Sequence, residues 1–202
     1  MAARASAQST WSENAGDPVH VPYVGMSSYY PSVVLDVDQF SGHGAPAYFK
    51  MWHQGPGGIA LSTSNDGVNW TLAGITNLGE SYHPCVGYDA DGFGGGAHTY
   101  RIWFWTGTAG TTPDVIQTSV SADGLNWQAP QPITQDALQP IVDGASPGYS
   151  YHLYGPGFAL YNRDAASVPG QPLTFPYVMY YDTSTEGSGP GASVEQVGLA
   201  PS

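Results

Sequence analysis

Three clusters of aromatic and imidazole side chains sit beside prolines: Tyr29-Tyr30-Pro31, Tyr82-His83-Pro84 and Tyr151-His152-Leu153-Tyr154-Gly155-Pro156. Flat aromatic faces with polar tips give apolar contact on one side and hydrogen bonds at the rim, a combination that suits a sugar ring. Tyr30, Tyr82, His83, Tyr151, His152 and Tyr154 are therefore candidate ligand-binding residues. Shortly after each cluster acids recur in pairs, Asp36/Asp38 and Asp89/Asp91, with Asn162/Asp164 in the third place. Such pairs on Gly-rich loops can lend oxygen ligands to Ca²⁺ or make solvated Asx turns. No other cofactor is suggested.

The remaining reactive residues point away from most other chemistry. His43, His53, His98 and His152 show no His-x-x-x-His metal spacing. Cys85 is the single cysteine, so an intrachain disulfide and a multi-thiolate metal site are both excluded, and it reads as a small buried hydrophobe. Asn69-Trp70-Thr71 has the form of an N-glycosylation acceptor, and Gly92 to Gly96 lacks the strand, helix and lysine of a phosphate loop. Four basic residues, Arg4, Lys50, Arg101 and Arg163, face sixteen acids, for a formal charge of -12. That leaves no cationic footprint for nucleic acid or for an anionic membrane surface. The longest apolar runs, such as Pro176 to Tyr181, are strand-sized, well short of the roughly 20 residues a membrane helix needs. Met1 to Thr10 has no apolar core of signal-peptide type. The acidic, Lys-poor, aromatic- and Gly-rich composition nevertheless resembles that of extracellular carbohydrate-facing proteins, so an extracellular or cell-surface location is expected.

The elements that position these residues are short strands. With 27 glycines and 17 prolines in 202 residues, turns are dense and no stretch reads as a good helix. A composition of 41% hydrophobic and 13% aromatic residues against 10% charged supports a globular core. An internal repeat then organises the chain. Ser62-Thr63-Ser64-Asn65-Asp66-Gly67-Val68-Asn69-Trp70 matches Ser119-Val120-Ser121-Ala122-Asp123-Gly124-Leu125-Asn126-Trp127 without a gap, 57 residues on. Strand-like runs precede both, Tyr48 to Trp52 and Tyr100 to Trp105, and a third runs from Tyr177 to Tyr181. Asp66 and Asp123 can bond their own backbone two residues on, and Gly67 and Gly124 supply the positive φ of a tight turn. Trp70 and Trp127 are then expected to be buried between sheets.

The unit is a Pro-containing strand, an Asp-rich turn, a strand, a short turn, a strand ending in Asp-Gly, and a Trp-led fourth strand. Units of this kind predict an all-β chain: a β-propeller-like array of three four-stranded antiparallel blades in a single domain, 1–202. The third copy stops at Ser202, which aligns with Ser64 and Ser121. Ser9-Thr10-Trp11 supplies the missing Trp-led strand at the other end. The expected division is 1–29 as the fourth strand of a split blade, 30–82 and 83–153 as blades, and 154–202 as an incomplete blade. Closed rings usually hold four to eight blades. Three outcomes stay open: two copies exchanging the Trp11 strand in a head-to-tail ring, the same exchange propagating as a filament, or a fragment. The expected partners are further copies of the chain, and glycans.

The Tyr-x-Met-Trp type second strand, the x-Pro-x-Val first strand and Ser-x-Asp-Gly-x-x-Trp together resemble the five-bladed glycoside hydrolase superfamily of arabinanases, xylosidases and invertases. The resemblance covers most of residues 28–202 and is carried by framework positions. It implies carboxylates beside the prolines of the innermost strands, one to protonate the leaving oxygen and one to activate water or attack. At those positions this chain has Tyr30, His83 and Tyr154. The resemblance therefore implies a non-catalytic relative that binds carbohydrate or assembles, unless Asp17, Glu80 or Asp143 reaches the centre from a loop.

Overall fold

The computed structural model describes residues 29–35, 49–93, 96–106, 115–133, 151–161, 177–185 and 194–201, the last three segments as backbone alone. Trp11, Asp36 and Asp38 lie outside the described residues, and so does the strand exchange expected of the N-terminal segment. The described strands are β1 (Tyr29–Leu35), β2 (Phe49–Gly55), β3 (Gly58–Ser64), β4 (Thr71–Ile75), β5 (Tyr82–Tyr88), β6 (Tyr100–Thr106), β7 (Val115–Ser121), β8 (Gln131–Pro132), β9 (Tyr151–Tyr161), β10 (Tyr177–Thr185) and β11 (Val194–Pro201). They form two four-stranded sheets, β1-β2-β3-β4 and β5-β6-β7-β8, and a three-stranded sheet, β11-β10-β9. The described chain is all-β, and its paired strands are antiparallel. The first strands of the sheets begin at Tyr29, Tyr82 and Tyr151, one to three residues ahead of the expected divisions at 30, 83 and 154.

Local chemistry accounts for the hairpins. Gly55 pairs with Gly58 across Pro56-Gly57, and Gly57 sits at φ +79°, with Pro and Gly in the positions a type II turn favours. The Asp-Gly turns form as their residue types require. Asp66 Oδ1 accepts the Val68 and Asn69 amides at 2.8 and 2.7 Å, Oδ2 accepts Asn69 Nδ2 at 2.7 Å, and Ser64 Oγ accepts the Gly67 amide at 2.9 Å. Ser121, Asp123, Gly124, Leu125 and Asn126 repeat that network. Gly67 and Gly124 lie at φ +74° and +80°, the left-handed region where a Cβ is unfavourable.

Packing then distinguishes the two copies. Trp52, Ile59 and Leu61 of the first sheet meet Tyr100, Ile102, Phe104 and Trp127 of the second in one buried cluster. Lys50 Nζ and Trp52 Nε1 reach across to the second sheet's turn, donating to the Asp123 and Gly124 carbonyls at 2.9 and 2.6 Å. Asn77 clamps the Trp127 backbone, accepting from its amide at 2.8 Å and donating to its carbonyl at 2.9 Å. Trp127 is buried between sheets as expected, whereas Trp70 is only half-buried, a correction to the expectation. Trp70 lies at the edge of its own sheet against Phe49, with ring centroids 6.1 Å apart, and its Nε1 donates to the Gly67 carbonyl. The third sheet meets the second through β9, which runs beside β5, β6 and β7, and β5 also runs beside β1.

Candidate functional site

The Pro-flanked residues stand where the first strand of each sheet loses its register. Tyr29 pairs with Gln54 and Ser32 with Trp52, so Tyr30 and Pro31 together span the single residue His53. Tyr82 pairs with Trp105 and Cys85 with Trp103, so His83 and Pro84 together span Phe104. A bulge of this kind breaks the pairing and re-aims a side chain. In β9 the register also shifts at Tyr154, between Leu153 opposite Thr183 and Gly155 opposite Asp182.

At the two bulges Tyr30 and His83 adopt φ +53° and +52°, and they are the non-glycine residues at positive φ among the described residues. A residue before proline is pressed towards the extended region, and a left-handed conformation without glycine costs on the order of 1–3 kcal/mol. The strain brings the two side chains together across the sheets. Their rings stack with centroids 3.6 Å apart and 21° between planes. Ser32 Oγ, two residues further along β1, accepts the Val86 amide at 2.9 Å and ties β1 to β5 beside the stack.

Around this pair the aromatic surface continues. Tyr29 lies 6.2 Å from Tyr30, and both are about half exposed, at 53% and 52%. On the other side Trp105 stands edge-on to His83 at 5.8 Å and tilted against Tyr82 at 4.9 Å. Trp105 Nε1 and Gln54 Oε1 are buried atoms with no hydrogen-bond partner among the described residues. Trp105 and Gln54 were not legible as site residues. They occupy the same register place on β6 and β2, opposite Tyr82 and Tyr29, two residues after Trp103 and Trp52. That repeat offset was the signal that could have found them.

Of the six candidate ligand-binding residues, the structure thus joins Tyr30, His83 and Tyr82 in one aromatic cluster. Tyr151, His152 and Tyr154 lie on β9, beside β5, with only their backbone described. Among the acids, Asp89 is buried and its Oδ1 accepts the Asp91 amide at 3.0 Å, an Asx turn that also pairs the Gly92 amide with the Asp89 carbonyl. Ca²⁺ takes six to eight oxygens, and among the described residues no three His, Cys, Asp or Glu side chains gather as metal ligands would. Asp89 and Asp91 alone do not supply that donor set.

The Asp-Gly residues belong to the framework. The Asn69 amide, with its side chain and the Val68 amide, holds the Asp66 carboxyl well below the usual carboxylate range. At Asp123 burial pushes upward, but the bonds from Asn126, Leu125 and Ser121 outweigh it and hold the carboxyl at about 2. Asn69 Nδ2, the atom a glycan would be joined to, is engaged by Asp66. Glu80 is exposed on the turn that leads into β5.

No family model matches the sequence, and no curated protein matches it. Two solved structures resemble it in fold: a complex named for BT0996 and RGII at TM-score 0.50 and a "Glycoside hydrolase" at TM-score 0.51. Each is 13% identical, and each match covers 86% of this chain and 54% of the other. The chain therefore spans about half the length of these structures. At that identity the likeness is one of fold.

Proposed function

We propose that the chain is a non-catalytic carbohydrate-binding module of propeller-blade type that works outside the cell, its Pro-flanked inner strands presenting an aromatic platform to a glycan. The observation that carries this reading is the stack of Tyr30 on His83, made by two strained residues from different sheets. Strained backbone gathers at binding and catalytic sites because the rest of the fold must hold it there. In arabinanase-like enzymes the positions before these prolines carry acids, and here they carry a phenol and an imidazole, which favours binding over hydrolysis. The fold likeness to a "Glycoside hydrolase" supports carbohydrate as the ligand class. Within this reading the three sheets are blades, and the Trp11 segment ahead of β1 supplies the fourth strand of the third.

Trp105 and Gln54 extend the platform with a donor and an acceptor. An unpaired buried polar group costs about 1–3 kcal/mol, and a ligand hydroxyl reached by a small side-chain rotation would recover part of it. Titration calorimetry with RGII, the component named with one similar structure, followed by a glycan array, tests the proposal. Binding without turnover is expected. Tyr30→Ala should weaken it roughly tenfold or more, the scale of a lost aromatic contact, and Trp105→Phe should weaken it less. Release of sugar from aryl glycosides, abolished by Glu80→Gln, would replace this reading with that of a hydrolase with displaced carboxylates.

A further inference from the structure

The distribution of charge around the aromatic platform is lopsided. Its described members, Tyr29, Tyr30, Gln54, Tyr82, His83 and Trp105, include no Lys, Arg, Asp or Glu. The described cations stand away from it. Lys50 and Arg101 share one register place on β2 and β6, four residues before Gln54 and Trp105, which sets them about 13 Å back along their strands. Both are occupied there: Lys50 Nζ donates to the Asp123 carbonyl, and the Arg101 guanidinium lies over Phe93, 5.4 Å from the ring centre. An acid stands nearer. Glu80 is exposed on the turn that enters β5, two residues ahead of Tyr82, at most about 7 Å of chain. Within the platform, Gln54 Oε1 is a buried acceptor with no hydrogen-bond partner among the described residues.

We infer that the platform takes a glycan bearing positive charge, one built of amino sugars with free amines. This rests on the carbohydrate reading above and narrows it. Three features point the same way. The faces of tyrosine and tryptophan rings carry negative charge density and attract a cation laid on them, and Tyr29 and Tyr30 are about half exposed. Gln54 Oε1 can only accept, and an ammonium brings three donors. Glu80 and the formal charge of -12 keep the surrounding potential negative, with no described Lys or Arg at the platform to oppose it. An acidic sugar meets the reverse: its carboxylate is repelled by that field and would set an acceptor against Gln54 Oε1. An N-acetylated sugar brings one N–H and no charge. Trp105 Nε1 is a donor that a hydroxyl of any of these sugars satisfies, so it orients the ligand without choosing between them.

Calorimetric titration of the full chain with short oligomers of equal length tests it: glucosamine with free amines, its N-acetylated counterpart, and galacturonate. The titrations are made at about pH 7, where an amine is mostly protonated. The free-amine oligomer is expected to bind roughly fivefold tighter than the acetylated one, the scale of a cation–π contact at an exposed site, and galacturonate is expected to bind weakest. A chain of charge -12 attracts any polycation, and two variants separate that pull from the site. Glu80→Gln removes one of sixteen acids and Gln54→Leu removes none, so diffuse attraction hardly changes in either. Each should nevertheless reduce the amine's advantage to about twofold or less, with the melting temperature near wild type. If the acetylated or the galacturonate oligomer binds as tightly as the free amine, the inference is overturned and the carbohydrate reading stands. An amine advantage that either variant leaves unchanged overturns it as well. If none of the three binds, this inference falls, and the carbohydrate reading falls with it only when the glycan array is blank too.

Discussion

Tyr30 and His83 show how a framework position is turned to another use. Each precedes a proline, each sits at positive φ, and each is skipped by the pairing of its own sheet, and their rings stack on one another. Lys50 is a second residue in tension with its surroundings. Burial lowers its ammonium to about 8 from the ordinary 10.5, against the attraction of Asp123. Its head donates to the Asp123 carbonyl and lies 4.7 Å from the Tyr100 ring centre. Because folding depresses this pKa, the folded chain binds the proton more weakly than the unfolded chain between pH 8 and 10.5. Stability from this group therefore rises as pH climbs through that window. Urea midpoints of the wild type are expected to gain on those of Lys50→Met from about pH 7.5 to 10.5, and parallel curves would refute the linkage.

At the scale of the element, the Asp-Gly turn serves two purposes in the second sheet and one in the first. Both copies close a hairpin with the same hydrogen bonds, but among the described residues only the Gly124 copy is pressed against a neighbouring sheet. A Cβ at Gly124 would come within 2.5 Å of Trp52 Cζ2, whereas one at Gly67 would meet Phe49 Cζ at 3.2 Å. Both positions share the positive-φ penalty. Gly124→Ala is therefore expected to destabilise the chain by roughly 1–3 kcal/mol more than Gly67→Ala, the usual cost of overpacking, as read from chemical denaturation. Equal losses would mean that Trp52 yields without strain. The same pairing explains the buried serines: Ser64 and Ser121 are small and polar because their hydroxyls sit inside the turn.

At the scale of the molecule, an acidic chain carries apolar surface. The formal charge of -12 sets any two copies against each other at long range, while Val33, Leu35 and Ile75 are about half exposed. Apolar contact between like-charged bodies strengthens when salt screens the repulsion. Self-association is accordingly expected to tighten as ionic strength rises from about 20 to 300 mM, a range over which the Debye length falls several-fold. Light scattering reads it directly, and weakening with salt would point to ion pairs across the contact instead.

Much of this protein is decided by local chemistry and is legible from residues alone. Gly, Pro and alternating aromatic residues determine short antiparallel strands, and Ser-x-Asp-Gly-x-Asn-Trp closes its turn through bonds within six residues, so its geometry hardly depends on what surrounds it. The prolines likewise mark the Tyr30 and His83 positions. What the tertiary structure decides is everything that depends on register between sheets. Trp127 is buried and Trp70 is not, because one motif has a sheet against it and the other an edge, a difference invisible in two matching sequence motifs. Trp105 and Gln54 join the site only once β6 and β2 are set opposite Tyr82 and Tyr29. Tyr30 meets His83 only because two bulges, 53 residues apart in the chain, turn towards one another when β1 and β5 lie side by side.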